Sequence, residues 1–273
     1  MWTGDSTRWG HPQRDNRRVL LAIDVGNTQT QIGIFSSDEL VESWRLSTDR
    51  EATVDMLGSE LAGLLSLRDL GVRDVNAVIV SSVVPHLGHE YELMSDRYFG
   101  GNLRVVGPGI KTGMAIKIDN PREVGADRLV NSVAAFDRLG GPCISVDFGT
   151  TINYDVVSAE GDFLGGVIAP GVEISIEAMS QRAARLFTVD LEPPPGAIGK
   201  NTQACIQAGV IFGFAGQVDA IIGRIREDLG EEAATIATGG LAEPIVPFCE
   251  EIDEVDDLLT LNGLRLIWER NSG

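Results

Sequence analysis

Two short stretches place an aspartate ahead of a glycine and threonines at matching spacing: "DVGNTQTQIGIF", beginning at Asp24, and "DFGTTINYD", beginning at Asp147. Each ends an apolar run and reads as strand, tight turn, strand. A turn at Gly26 and Asn27 exposes consecutive backbone N–H groups, and Thr28 and Thr30 are expected to add hydroxyl donors pointing the same way. Such a nest suits phosphate oxygens. Asp24 cannot bind phosphate itself, but it can hold a magnesium ion or that ion's water against one. A second copy at Asp147, Gly149 and Thr150, facing the first, would close a two-jawed polyphosphate clamp. One copy alone is weak, because Asp and Gly also simply make turns; two copies in matching halves are much more specific.

A third constellation is "DNPREVGADRLVN". Asp119, Asn120 and Pro121 stop an extended segment, and a helix is expected from Glu123 onward. Asp127 and Arg128 then lie near a helix N-terminus, where a carboxylate is held ionised and can accept a proton. The plainer alternative is a capping Asp beside a surface Arg. Two look-alikes are discarded: "GPGIKTG" and "IGKNT" both lack the G-x-x-x-x-G-K-[ST] arrangement of a P-loop.

The elements that must position these residues alternate strand and helix. "RVLLAIDVGN" and "VNAVIVSSVVP" read as strands, "ATVDMLGSELAGLLSLRDLG" as a helix, and "LRVVGPG" as a short strand. The order then restarts with "CISVDFGTT", a hairpin turning at Glu160-Gly161, two long helices and the strand "ATIATGG". This is the signature of an α/β layer fold used twice. The expected division is residues 19–135 and 136–273, with residues 1–18 as a mobile extension or expression remnant.

Composition bounds the function. The 273 residues are 43% hydrophobic and 23% charged, enough for large cores. A net charge of −18 argues against general nucleic-acid binding. No uninterrupted apolar run suggests a membrane span, and there is no secretory h-region. Cys143, Cys205 and Cys249 are too few and scattered for a disulfide framework or zinc site; they read as small core residues in a reducing cytoplasm.

"DVGNTQTQIGIF", "SSVVP", "DNPREVGADRLVN", "DFGTTINYDVVSAEGDFLGGVIAPG", "IGKNTQACIQAGVIFGFAGQVD" and "TGGLA" occur in the order seen in type III pantothenate kinases, and the resemblance runs from about Leu20 to Asn271. It implies duplicated actin-like (ribonuclease H-like) domains, with mixed sheets flanked by helices, in a cytoplasmic homodimer. It further implies phosphorylation of pantothenate by ATP, the first step of coenzyme A synthesis, with Mg2+ and a monovalent cation, K+ or NH4+. By motif match, Asp24, Val25, Gly26, Asn27, Thr28, Gln29, Thr30 and Gln31 resemble the first ATP phosphate loop, and Thr150 the second. Asp127 resembles the general base. Gly125, Ala126, Asp127 and Arg128, together with Ile118 and Thr202, are similar to pantothenate contacts, and Asp147 to the potassium ligand.

Two departures stand out. The family's second loop commonly reads D-F-G-T-A-T-T-F-D, whereas this chain continues Thr151, Ile152, Asn153, and Ile118 stands where a tyrosine is common. If Ile152 and Asn153 replace phosphate donors, each loss costs about 2.7–4 kcal/mol of barrier. That expectation supports a second reading, a non-catalytic homologue that keeps the fold and serves as a nucleotide-binding or regulatory interaction protein. An unrelated sugar kinase is a distant third, because fold alone does not fix substrate.

Overall fold

The computed structural model describes residues 18–182 and 189–272. The anticipated extension at 1–18 therefore lies outside the described residues, except for Arg18. The first half contains β1 (Val19–Val25), β2 (Gln29–Ser36), β3 (Glu39–Ser47), α1 (Val54–Ser66), β4 (Ala77–Ser82), α2 (Pro85–Tyr98), β5 (Leu103–Val105) and α3 (Ala126–Leu139). The second contains β6 (Cys143–Phe148), β7 (Thr151–Val157), β8 (Phe163–Pro170), α4 (Val172–Arg182), α5 (Thr202–Leu229), β9 (Ala234–Thr238), α6 (Ala242–Ile245), β10 (Glu254–Val255) and α7 (Leu259–Arg270).

Among the described residues these strands form two five-stranded sheets, ordered β3-β2-β1-β4-β5 and β10-β9-β6-β7-β8. Each is a meander of three antiparallel strands extended by two parallel ones. The second order is the first read backwards, so one plan occurs twice. This is the duplicated α/β architecture expected from the sequence, with each mixed sheet flanked by helices.

Strand alternation assigns every side chain to a face. In β1, Leu21, Ile23 and Val25 join Ile32 and Ile34 of β2 in a core under α1 and α2. Leu20, Ala22 and Phe35 lie on the opposite face, against Val130 and Val133 of α3 and Leu261, Leu264 and Ile267 of α7. The second sheet repeats this. Ile144, Val146, Phe148, Ile152 and Tyr154 bury their side chains with α4 and α5, whereas Cys143 and Val157 face Ala134 and Ala135 of α3. Helices α3 and α7 thus lie between the inner faces of the two sheets. Burial of Leu261, Leu264 and Ile267, at about 1.5–3 kcal/mol apiece, ties the chain's end to the first sheet.

Two expectations are corrected here. The helix carrying Asp127 starts at Ala126 and not at Glu123; Pro121–Glu123 is a separate 3-10 turn capped by Asn120, whose Oδ1 accepts from Arg122 N at 3.3 Å. Cys205 is exposed on α5, unlike buried Cys143. Helix α5 is long and apolar enough to cross a membrane by composition alone. It lies instead on the second sheet, with Ile206, Ile211, Val218 and Ile222 in that core.

Candidate active site

Asp24 and Asp147 are each the penultimate residue of the first strand in their hairpin. In register, Asp24 pairs with Gln31 and Ser81, and Asp147 with Asn153 and Thr238. Alternation puts all six on the inner faces, and all but Ser81 line one cleft between the hairpins. Asp127, in the first turn of α3, enters the same cleft. Three carboxylates from two sheets and a helix end therefore meet where neither half alone could bring them.

The walls are backbone turns. Gly26, Asn27 and Thr28 line one side, and Gly149 and Thr150 the other. The Thr28 and Thr150 hydroxyls meet across the opening at 3.2 Å. Behind the first turn, Thr48 Oγ1 donates to Gly26 O at 2.8 Å, and the Arg50 guanidinium donates to Asn27 O. These bonds occupy carbonyl oxygens and leave the Asn27 and Thr28 N–H groups out of the count, which suits an anion.

The floor is acidic. Burial, then Asp127 and Asp147, push the Asp24 carboxyl up to about 8, opposed by Ser81. Burial and Asp127 raise Asp147 to about 7, opposed by Asn131 and Arg45. Asn131 Nδ2 donates to Asp147 Oδ2 at 3.2 Å, and Thr260 Oγ1 of α7 donates to Asn131 Oδ1 at 2.7 Å, so both inner helices hold this carboxylate. Burial also raises Asp127, against the pull of the Arg128 N–H and charge and of its own N–H at the helix start. Gly125 makes room for it: a Cβ there would collide with Asp127 Oδ1. Gly239 does the same for Asp147, since it has φ +97° and a Cβ would stand 2.6 Å from Asp147 Oδ1.

Among the described residues, no three His, Cys, Asp or Glu side chains enclose a metal position. The donor set still fits a hard cation. Oxygen ligands crowded enough to raise one another's pKa values need positive charge, and magnesium is commonly held by one or two carboxylates plus substrate phosphates.

Of the residues singled out from sequence, Asp24, Gly26, Asn27, Thr28, Gln29 and Gln31 line the cleft, as do Asp127, Asp147 and Thr150. Val25 and Thr30 do not. Val25 is fully buried, and the Thr30 hydroxyl bonds Thr48 Oγ1 at 2.9 Å on the outer face, so the expectation that it points with Thr28 is corrected. Ile152 is corrected for the same reason. It occupies the register position of Thr30, lies fully buried in the outer core, and takes no donor from the cleft; Thr151 and Asn153 are the residues that face it.

A second group gathers beside Asp127. Arg128 turns onto the inner face of β7 and β8, where it pairs with Asp155, and Gly166 Cα leaves space for its Nη2. Ile118 is half-buried against neighbouring Gly165. Gly125 and Ala126 are half-buried at the start of α3, while Thr202 is exposed at the start of α5 and does not line the cleft.

Sequence reading missed Arg45. Among the described residues it is the sole cationic side chain lining the cleft, opposite Asp24, Asp127, Asp147, Glu173 and Asp257. Its Nη1 lies 3.2 Å from where a Cβ on Gly240 would stand, so β3 of one sheet reaches the turn after β9 of the other. The available signal was register: Arg45 pairs with Gln31, which pairs with Asp24.

The family model for type III pantothenate kinase matches residues 20–224. A type III pantothenate kinase of Acidothermus cellulolyticus is 52% identical over 93% of this chain and 99% of its own length. That of Moorella thermoacetica is 49% identical over 93% and 100%. Among solved structures, component A of the (R)-2-hydroxyglutaryl-CoA dehydratase of Acidaminococcus fermentans matches with a TM-score of 0.56 at 12% identity, covering 94% of this chain and 100% of that one, a likeness of fold alone. With three quarters of its length under the family model and half its residues identical to full-length relatives, the chain belongs to the type III pantothenate kinase family.

Proposed function

We propose that this protein transfers the terminal phosphoryl group of ATP to the hydroxyl of pantothenate, giving 4'-phosphopantothenate and ADP. The observation that carries the reading is the meeting of Asp24, Asp127 and Asp147 between two phosphate-sized backbone turns. The pantothenate oxygen attacks the γ-phosphorus as the bond to the ADP oxygen breaks, and the hydroxyl proton passes to Asp127. Burial raises that carboxyl and makes it basic enough to accept the proton, so the low pKa expected from its helix N-terminus is corrected: the N–H groups there and the Arg128 charge only oppose the rise. Asn27, Thr28, Gly149 and Thr150 hold the phosphates, and Arg45 supplies the one cationic side chain that lines the cleft among the described residues. Asp24 would hold Mg2+ or its water, and Asp147 would hold K+ or NH4+; such ions supply charge neutralisation along the transferring phosphate. Pantothenate lies over Gly165 and Gly166, with Ile118 and Arg128 beside it.

Of the three residues that favoured a non-catalytic homologue, Ile118, Ile152 and Asn153, Ile152 lies in the outer core, while Asn153 lines the cleft and its amide can still donate a hydrogen bond. Purified protein with ATP, Mg2+ and K+ should form ADP and 4'-phosphopantothenate in equal amounts. Asp127→Asn should keep the fold and lose about 10²–10⁴ in kcat. Wild-type turnover in that variant would remove Asp127 from the role, and no pantothenate-dependent ADP from the wild type would sink the reading.

We further infer two domains divided at 135/136, supported by the confinement of each sheet to one side of that point. A homodimer is supported by uncovered apolar surface: Leu164, Val167 and Ile168 on edge strand β8, Ile174 on α4, and the exposed glycines 209, 213 and 216 along α5. Light scattering should give twice the 29.3 kDa chain mass; a single-chain mass at micromolar concentration would refute it.

A further inference from the structure

We propose that Asp155 is a positioning residue for pantothenate, acting by aiming the Arg128 guanidinium along the inner face of β7 and β8 toward the substrate's oxygen atoms. The inference rests on the function proposed above and deepens it. It begins with an oddity of register. Ala22 pairs with Gly33 in the first sheet, and Ser145 pairs with Asp155 in the second, so positions 33 and 155 are equivalent. At Gly33 the space is filled by α7, since a Cβ would stand 2.8 Å from the Leu261 side chain. At the equivalent place the second sheet buries a carboxylate that is 1% exposed. A buried carboxylate is costly unless it is paired.

The pairing is specific. Arg128 Nε donates to Asp155 Oδ1 at 2.7 Å, and Nη2 approaches the same oxygen at 2.6 Å. The Phe163 ring lies 5.6 Å from the guanidinium carbon. Gly166 completes the slot: a Cβ there would stand 3.2 Å from Nη2 and collide with Tyr154 O. The plane of the guanidinium is thus fixed by a carboxylate, an aromatic ring and a strand, with its side chain 16% exposed. Nη1 has no hydrogen bond among the described residues. Asp155 therefore occupies one edge of the fork and leaves the other for an acceptor, the geometry in which Arg binds carboxylates and carbonyls. Stability does not account for the pair, because a buried ion pair is often no better than a hydrophobic replacement. Arg128 also follows Asp127 directly on α3, so whatever fixes the guanidinium fixes the substrate relative to the proton acceptor.

The test is a double-mutant cycle on the full chain with both substrates varied. Asp155→Asn should raise the pantothenate KM about tenfold while the ATP KM stays within about twofold. Arg128→Met should raise the pantothenate KM at least as much, and Asp155→Asn/Arg128→Met should be no worse than Arg128→Met alone, because the first residue acts only through the second. A merely structural Asp155 predicts multiplied losses in the double variant, or equal shifts for both substrates, and either result overturns the proposal. An unchanged pantothenate KM in folded Asp155→Asn does so too. Should Asp155→Asn fail to fold, Asp155→Glu keeps the charge pair and displaces the guanidinium by one methylene; a wild-type pantothenate KM there is equally fatal. An active wild type with an indifferent Asp155 defeats this inference alone, whereas a wild type that never phosphorylates pantothenate defeats the functional reading along with it.

Discussion

The two sheets share order, strand direction and the placement of Asp24 and Asp147, yet they differ at the turn and on either side of it. Three residues, Gly26 to Thr28, connect β1 to β2, and two, Gly149 and Thr150, connect β6 to β7. At equivalent register the first sheet has Thr30 where the second has Ile152, and Arg45 where the second has Ile168. Thr30 and Ile152 both point outward, so that difference concerns the cores. Arg45 lines the cleft, and Ile168 does not. Residue identity alone therefore says little about which differences matter; the face of the strand decides. The two jaws are alike in what presents negative charge and unlike in what presents positive charge.

The strongest way to break the likeness is to remove each carboxylate in turn. Asp24→Asn and Asp147→Asn should each lower kcat by about 10²-fold or more, the scale of losing one aligned electrostatic group at a phosphoryl site. Stability should move the other way. The folded-state values of about 8 and about 7 lie above the ordinary 3.8. A raised carboxyl binds its proton more tightly folded than unfolded, so its stabilising contribution is complete below pH 4 or so and is lost as pH rises through 7 to 8. In chelator and an organic-cation buffer, the wild-type Tm should fall between pH 5.5 and 8.5, and Asp24→Asn should flatten that fall more than Asp147→Asn. Unaltered pH profiles in both variants would show that neither burial nor mutual repulsion raises these carboxyls in the folded chain.

A smaller effect is expected from the asymmetric cation. Arg45→Met removes the one positive side chain that lines the cleft among the described residues, and that cleft must accept a polyanion, so the ATP KM should rise about tenfold with the pantothenate KM nearly constant. Lysine at 45 should recover part of the loss, because it restores charge but not the planar fork. Equal ATP affinity in wild type and Arg45→Met, measured by calorimetry with ADP as well as ATP, would assign Arg45 to the surface.

Much of this was legible in sequence. Apolar runs ended by D-x-G announced both hairpins, and their repetition announced the duplicated fold and the facing of Asp24 and Asp147; the meeting of Asp127 with them was not written in the repeat. What was not legible required partners distant in the chain. Arg45 is an ordinary exposed strand residue until β2 carries it, through Gln31, to Asp24. Helices α3 and α7 each look amphipathic alone, and only assembly places them between two sheets. Ile152 differs, because its direction could have been counted. Asp147 faces inward, the pairing of Asp147 with Asn153 puts 153 on the same face, and period two then turns 152 outward.

The smallest effect on activity, and the cleanest test of strand face against residue type, comes from exchanging the outward pair. Ile152→Thr restores the hydroxyl common in the family loop. Ile152 belongs to the same apolar core as Phe148, Val172 and Ile176, so the hydroxyl is buried with little compensation and a methyl-sized gap opens. The expected cost is about 1–3 kcal/mol of stability with kcat/KM unchanged within about twofold. Thr30→Val is the counterpart. Its hydroxyl does have a partner, Thr48 Oγ1, which in turn donates to Gly26 O behind the phosphate turn. That substitution should loosen the turn and raise the ATP KM by a few fold, roughly the worth of about 0.5–1.5 kcal/mol for one hydrogen bond. Two residues at one register position, both outside the cleft, would then differ in their effect on ATP because only one is wired to a turn. A rise in kcat/KM on Ile152→Thr would instead return the hydroxyl to the phosphates and show that β7 presents its other face there.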